Sequence, residues 1–199
     1  MIPVEFLLQT IELNDEPRRG WETRGVETPQ DVAGHSWGVA FLTLLFSSRI
    51  PHLDGDRPIK LALIHDLAES ITGDLVVNDP SSSLSQDEKH RRERNAMTEL
   101  SELAGEADID FDTIEELWCE YETRDSIEAR FVKDMDMIEV CLLALKYETD
   151  SRYDPDSLNP GETDLRVFFD NAAEIIDTDE AKELVLELKR IYRRERNAE

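Results

Sequence analysis

Ala62-Leu63-Ile64-His65-Asp66-Leu67-Ala68-Glu69 sets an imidazole beside a carboxylate in the middle of a strongly apolar run. The apolar positions fall at helical spacing, so the polar pair shares its helix with core-forming side chains. Burying such a pair is costly unless each group is paired or bound to a cation. On a helix, Glu69 follows Asp66 by three positions and His65 by four, which turns all three toward overlapping parts of one face. Alone, a His-Asp pair is equally well served by a salt bridge or a capped core histidine. The rest of the chain has to decide.

Outward from this run, apolar residues recur at helical spacing almost everywhere, and no segment alternates apolar and polar positions convincingly. The chain reads as all-α, with helices predicted over about 3–13, 31–49, 57–72, 85–104, 111–121, 125–149, 163–177 and 179–196. Pro17 and Gly20 interrupt the first, Pro51 to Pro58 separate the second and third, and Gly73 stands where a C-terminal cap belongs. Ser85 and Glu88 form a capping box after a polar loop that starts at Asn78. Tyr153 to Gly161, with Pro155 and Pro160, is a second loop. At 199 residues and 40% hydrophobic content the chain suits one domain with one sizeable core, residues 1–199, the helices of 163–196 packed on the rest.

No run of eighteen apolar residues occurs, and the first residues lack the basic region and cleavage site of a signal peptide, so a soluble cytoplasmic protein without a membrane partner is expected. Cys119 and Cys141 sit in helical patterns without metal-ligand spacing and are expected to be buried thiols.

The net charge is −24, from 46 acidic and 22 basic residues, and only six of the basic ones are Lys. Apolar periodicity survives, which argues against disorder, and such an acidic skin fits a protein built for high salt, a halophilic source. The charge also excludes phosphate-backbone binding as the main activity, because no basic stripe can release counterions. Any anionic substrate therefore needs a site that reverses the field locally, through a metal or a buried Arg.

Two further residues converge with the first pair. His35 has Val32, Val39 and Leu42 as helical neighbours, which places its ring on a buried stripe. Asp136 shares a face with Ala129, Val132, Val140 and Leu143, while Asp134 also has apolar neighbours, so periodicity alone does not choose between them. Two histidines and two carboxylates arriving in one core from three helices are more economically explained by a cation than by separate buried ion pairs. The mixed N/O donor set suits zinc, manganese, cobalt or iron, with positions left for water and substrate.

The order His35, His65-Asp66, Asp136 resembles the HD phosphohydrolase superfamily signature. Pro17-Arg18, Gly20-Trp21, Val32-Ala33 before His35-Ser36-Trp37, Ala62 to Glu69, Gly73-Asp74, Glu88 to Glu93, Leu117-Trp118 with Glu120 to Glu122, and Phe131 to Lys133 before Asp136 are together similar to the HD domain-containing protein 2 group, related to YfbR-type 5′-deoxynucleotidases. The similarity spans roughly residues 5–150.

This resemblance implies an all-helical HD bundle, usually dimeric, that cleaves phosphate from deoxyribonucleoside 5′-monophosphates with one divalent cation (Mn, Co, Zn, Fe or Mg). It implies His35, His65, Asp66 and Asp136 as ligands and settles the last one as Asp136. It also implies Glu69 as the residue that orients or deprotonates the attacking water, Arg18 as the phosphate clamp and Asp74 as a second pocket carboxylate. Trp21, Trp37 and Trp118 are all expected in the core by default, and Trp21, beside Arg18, is the one best placed to pack on a sugar or base instead. Gly34 stands where the family usually carries an acid, which removes a possible outer carboxylate. With only His52 and His90 left over, a single metal is favoured, and His90 is expected on a solvated face or at a pocket edge. The competing expectations are an HD hydrolase of another nucleotide phosphoester, and a metal-stabilised nucleotide-binding dimer without catalysis.

Overall fold

The structure is a computed structural model and describes residues 4–77, 84–106, 110–150, 152–154 and 164–196. Their helices are α1 (Val4–Ile11), α2 (Arg19–Glu22), α3 (Val32–Phe46), α4 (Arg57–Ile64), α5 (Glu69–Thr72), α6 (Gln86–Glu106), α7 (Asp112–Thr123), α8 (Ile127–Glu148), α9 (Arg166–Ile175) and α10 (Asp179–Arg196). Extended pairing among the described residues is confined to two isolated bridges, Pro17 with Asp31 and Val26 with Tyr153. The all-α expectation is met. None of these helices is long and apolar enough to cross a membrane. Most of the two expected loops, residues 78–83 and 155–161, lies outside the described residues.

Helix starts follow side-chain chemistry. The Gly34 amide donates to Asp31 Oδ1 at the head of α3, and the Ala129 amide donates to Ser126 Oγ at the head of α8. Before α6 only half of the expected capping box forms. The Glu88 amide donates to Ser85 Oγ, but the Glu88 carboxylate is taken by Arg91 and Arg92.

The single helix expected over 57–72 is interrupted. α4 ends at Ile64 and α5 begins at Glu69, and the amides of Leu67, Glu69 and Ser70 bond three residues back rather than four. The cause lies in the polar pair itself. His65 Nδ1–H donates to the Ala62 carbonyl at 2.8 Å, one of the acceptors a continuing helix needs. Gly73 closes the segment as expected, with φ +68° and its amide on the Glu69 carbonyl.

α8 is the spine and touches α3, α4, α7, α9 and α10. It is buried around much of its circumference, as a helix enclosed by others must be. Two apolar clusters make the core. One surrounds α8 and includes Val39, Leu61, Ala62, Leu117 and Ile138. The other lies under α1 and α6 and includes Val32, Leu67, Ala68, Leu100 and Trp118. The chain passes from one to the other at His35 on α3, between Val32 and Val39, and at His65-Asp66, between Ala62 and Leu67. The polar residues of the opening octapeptide therefore occupy a seam between two apolar cores.

Two burial expectations are corrected. Trp37 is 68% exposed and stacks on Phe41 (5.4 Å between centroids), because α3 is apolar all round and this side of it faces away from the other helices. Cys119 is exposed on the outer side of α7, while Cys141 is buried in α8.

The structure also separates the two aspartates that periodicity leaves equivalent. Asp134 accepts the backbone amides of Asp177 and Thr178 and the Thr178 hydroxyl, at 2.6–2.9 Å, and so anchors the start of α10. Removing a buried carboxylate that accepts three such bonds costs on the order of 2–4 kcal/mol. We therefore expect Asp134→Ala to lower the melting temperature while divalent-cation binding persists. Loss of cation binding in a folded Asp134→Ala protein would contradict this division of labour.

Candidate active site

His35, His65 and Asp66 bring ligand-type atoms within 4.8 Å of one another. The two Nε2 atoms lie 3.3 Å apart. Asp66 Oδ2 is 3.3 Å from His65 Nε2 and 3.6 Å from His35 Nε2, and Asp136 Oδ1 is 3.3 Å from His35 Nε2. Both histidines are buried, at 1% and 3% exposure. Each uses its other ring nitrogen outward, His65 Nδ1–H on the Ala62 carbonyl and His35 Nδ1–H on Glu139 Oε2 at 2.7 Å. With Nδ1 protonated on both rings, two Nε2 lone pairs face each other in a dry seam, and only a shared positive charge relieves them. Imidazole nitrogens and carboxylate oxygens are the donor set of a transition-metal or zinc centre, so these residues fit a cation. Without one, burial and Arg18 oppose charge on His35, but Glu139 and Asp136 outweigh them and hold its pKa up at about 10.

The carboxylates are kept ionised. Burial opposes the charge of Asp66, yet His65, Arg18 and His35 bring its pKa well below the usual range. Lys133 and His35 do the same for Asp136 against its burial. Asp136 Oδ2 accepts from Lys133 Nζ at 2.7 Å and from the Tyr121 hydroxyl at 2.9 Å, which leaves Oδ1 for the histidine side.

The cluster opens into a cavity of about 730 Å³, whose lining includes Arg18, His65, Asp66, Glu69, Asp74, Lys89, Lys133 and Asp136. That volume suits a small organic ligand. Arg18 Nη1 donates to Asp66 Oδ2 at 3.0 Å. Asp74 Oδ2 accepts the Arg19 amide at 2.7 Å, so Asp74 both lines the cavity and caps α2, the turn that carries Arg18. Glu69 is 3% exposed and its Oε2 has no hydrogen-bond partner among the described residues, while Oε1 faces Lys89 Nζ at 3.6 Å. Burial first, then Asp66 and Asp74, push its pKa well above the ordinary carboxylate value, with Lys89 opposing. A buried carboxylate with a free oxygen and raised basicity is equipped to accept a proton.

Trp21 is a correction. It is 2% exposed, packs edge-on against Tyr147 and 4.0 Å from Phe168, and does not line the cavity. Phe168 on α9 and Tyr121 on α7 are aromatics that do. Also absent from the sequence-derived candidates are Lys89 and Lys133, which with Arg18 bring cationic groups to the cavity wall among its carboxylates. Lys89 lies in the charged run 88–94, whose alternating signs resemble a solvated face, and nothing local reveals that it turns inward. Lys133 carried a signal, being three residues before Asp136 on one helix. His90 lines the cavity edge beside Glu122.

A model of the HD domain matches residues 11–177. The chain belongs to the HD domain family. It is 39% identical to the 5′-deoxynucleotidase HDDC2 of Bos taurus over 98% of this chain and 86% of the bovine protein. Identity to the Homo sapiens 5′-deoxynucleotidase HDDC2 is 37%, over 94% of this chain and 84% of that one. Among solved structures, the PH0347 protein from Pyrococcus horikoshii OT3 superposes with a TM-score of 0.73 at 27% identity, covering 94% of this chain and 99% of the other. The expected family and helical fold are thus both met, and the match extends past the 5–150 span of the sequence motifs into α9.

Within this HD domain, Glu93 is the lining carboxylate with the most tractable titration. Burial raises its pKa from 4.5 to about 7, with Glu122 adding and Lys89, at 3.2 Å, opposing. A raised folded pKa means that folding takes up a proton between those two values, so stability falls as pH rises through that window and stays low above it. We expect Glu93→Gln to melt with the parent near pH 4.5 and several degrees above it near pH 8, at roughly 2–4 °C per kcal/mol. An equal difference at both pH values in thermal melts of the metal-free chain would refute the assigned burial effect.

Proposed function

We propose that this HD domain is a metal-dependent phosphomonoesterase that removes phosphate from nucleoside 5′-monophosphates, deoxyribonucleotides foremost. The observation that carries the reading is the pair of inward Nε2 atoms 3.3 Å apart, flanked by Asp66 and Asp136, beside a buried Glu69 oxygen without a partner. His35, His65, Asp66 and Asp136 would hold one divalent cation. Its identity among Mn, Co, Zn, Fe and Mg is left to the experiment below. When bound, such a cation supplies Lewis acidity, which withdraws charge from a phosphate and acidifies water.

The chain's own residues do the rest. Arg18, held over Asp66, offers a planar fork to phosphate oxygens, and Lys89 and Lys133 add charge on the same cavity wall. Glu69 accepts the proton of the attacking water at its free oxygen or holds that water in line. Asp74 keeps Arg18 in place through the Arg19 amide and presents its carboxylate to the sugar end of the substrate. The names of the HDDC2 relatives support deoxynucleotides as substrates.

A homodimer fits the exposed side of α3, where Trp37, Phe41, Leu44 and Leu45 form an apolar strip on a chain of net charge −24. Two such strips meeting bury each other. The same charge favours a high-salt cytoplasm as the working environment.

Phosphate release from ribo- and deoxyribonucleoside 5′-monophosphates, in high salt with apo-protein resupplied with each metal, tests the activity. His65→Ala and Asp136→Ala should lose both bound metal and turnover. Glu69→Ala should keep the metal and lose turnover by about 10²–10⁴-fold. Normal hydrolysis by Glu69→Ala would remove its assigned role. No release from any monophosphate while metal binds would turn the assignment toward another phosphoester or a non-catalytic nucleotide-binding dimer. For the assembly, Trp37→Asp combined with Phe41→Asp should give monomers by sedimentation, and an unchanged oligomer would move the interface elsewhere.

A further inference from the structure

Glu139 is a buried carboxylate on α8, three residues after Asp136, and none of the roles above uses it. Both of its oxygens are engaged. Oε2 accepts His35 Nδ1–H at 2.7 Å, and Oε1 accepts the Gln30 side-chain amide at 3.0 Å. Gln30 is itself clamped to α8, because its backbone amide donates to the Tyr147 hydroxyl at 2.9 Å. Among the described residues, the ion pair of Glu139 is with His35. A buried carboxylate opposite an imidazole is weak evidence for stability, since apolar residues of similar volume generally serve a core as well or better.

The two glycines of α3 show what the arrangement accommodates. A Cβ on Gly38 would meet Glu139 Cγ and Oε1 at 3.0 Å, and one on Gly34 would meet Gln30 Cγ at 3.1 Å. Gly34 and Gly38 are one turn apart and bracket His35, so the helix is pared back on both sides of the ring where Gln30 and Glu139 approach it. Glycine in a helix interior is unfavourable for the helix itself, so its presence at position 38 points to the close approach of Glu139 that it allows.

We propose that Glu139 is the positioning residue of the metal centre, an outer carboxylate bonded to the first histidine. It reaches His35 from α8 rather than from the residue preceding it. Glu139 holds the His35 proton on Nδ1, fixes the ring plane and increases the electron donation of Nε2 toward a cation. His65 receives a weaker version of the same support from the neutral Ala62 carbonyl, so the two histidines are unequal donors. The inference rests on the metal-centre reading above.

Competition against a chelator for manganese, with the whole chain in high salt, measures the effect directly. Glu139→Ala is expected to weaken manganese binding by about 10–100-fold. Glu139→Gln keeps an acceptor for Nδ1–H without the charge and is expected to lose less. Gly38→Ala alters no ligand and no charge and favours the helix, yet it displaces the carboxylate, so weaker binding is expected there as well. Circular dichroism of the metal-free proteins establishes folding, and if Glu139→Ala does not fold, the other two variants carry the test. In the zinc-loaded protein, the hydrogen-bonded Nδ1–H of His35 is expected in the imidazole ¹H–¹⁵N spectrum and is expected to shift in Glu139→Gln, a change that a merely structural role would not produce. Folded Glu139→Gln and Gly38→Ala proteins that bind manganese as tightly as the unaltered chain would overturn the inference alone. An unaltered chain that binds no divalent cation would overturn the metal centre, and the inference with it.

Discussion

Everything at the centre of this molecule answers to one electrostatic constraint: two buried imidazoles with their lone pairs turned toward each other. Leaving such groups unmatched costs more than a domain can readily spare. The structure meets the constraint by surrounding them with carboxylates and then surrounding the carboxylates with donors. Asp66 has Arg18, Asp136 has Lys133 and Tyr121, and Glu139 has Gln30. Each layer fixes the geometry of the one inside it, so the inner atoms are aimed before any cation or substrate arrives.

The fold provides the place for this arrangement by making two cores instead of one. α3 and the segment that begins with α4 each pass from one apolar cluster to the other, and the polar residues sit at the crossing. A seam of that kind is dry enough to strengthen electrostatic interactions and still opens to solvent on one side, through the cavity that α6 and α9 help to line. The interruption after Ile64 belongs to the same solution. The side chain of His65 captures a helix carbonyl, the turn tightens, and Glu69 enters the cavity from a separate short helix.

Charge is the second organising quantity. A surface at −24 repels a nucleotide, so attraction has to be local. Arg18, Lys89 and Lys133 meet around the cavity, although they lie far apart in the chain, and each is paired there with a carboxylate. Lys89 is shared between Glu69 and Glu93, which keeps the cation in place and also opposes the rise in the Glu69 pKa that burial imposes. Asp66 and Asp74 add to the burial effect, and Arg18 adds to that of Lys89.

The sequence by itself determined the helical class, because a 3.6-residue apolar period is a local property that survives in any packing. It also determined which residue types met in the core, since His35, His65-Asp66 and an aspartate of the 129–140 segment each stand in an apolar stripe where a polar side chain is costly. Periodicity treats Asp134 and Asp136 alike and the family resemblance names Asp136, but only the tertiary structure gives the physical difference: one faces the start of α10 and the other faces His35. It decided as well that Trp21 belongs to the core and Phe168 to the cavity, that Lys89 turns inward from a run resembling a solvated face, and that Glu139 meets the outer nitrogen of His35. The reason is common to all of these. Spacing along a helix fixes the angle at which a side chain leaves the axis, but what it meets depends on a second helix whose distance and rotation no single segment encodes.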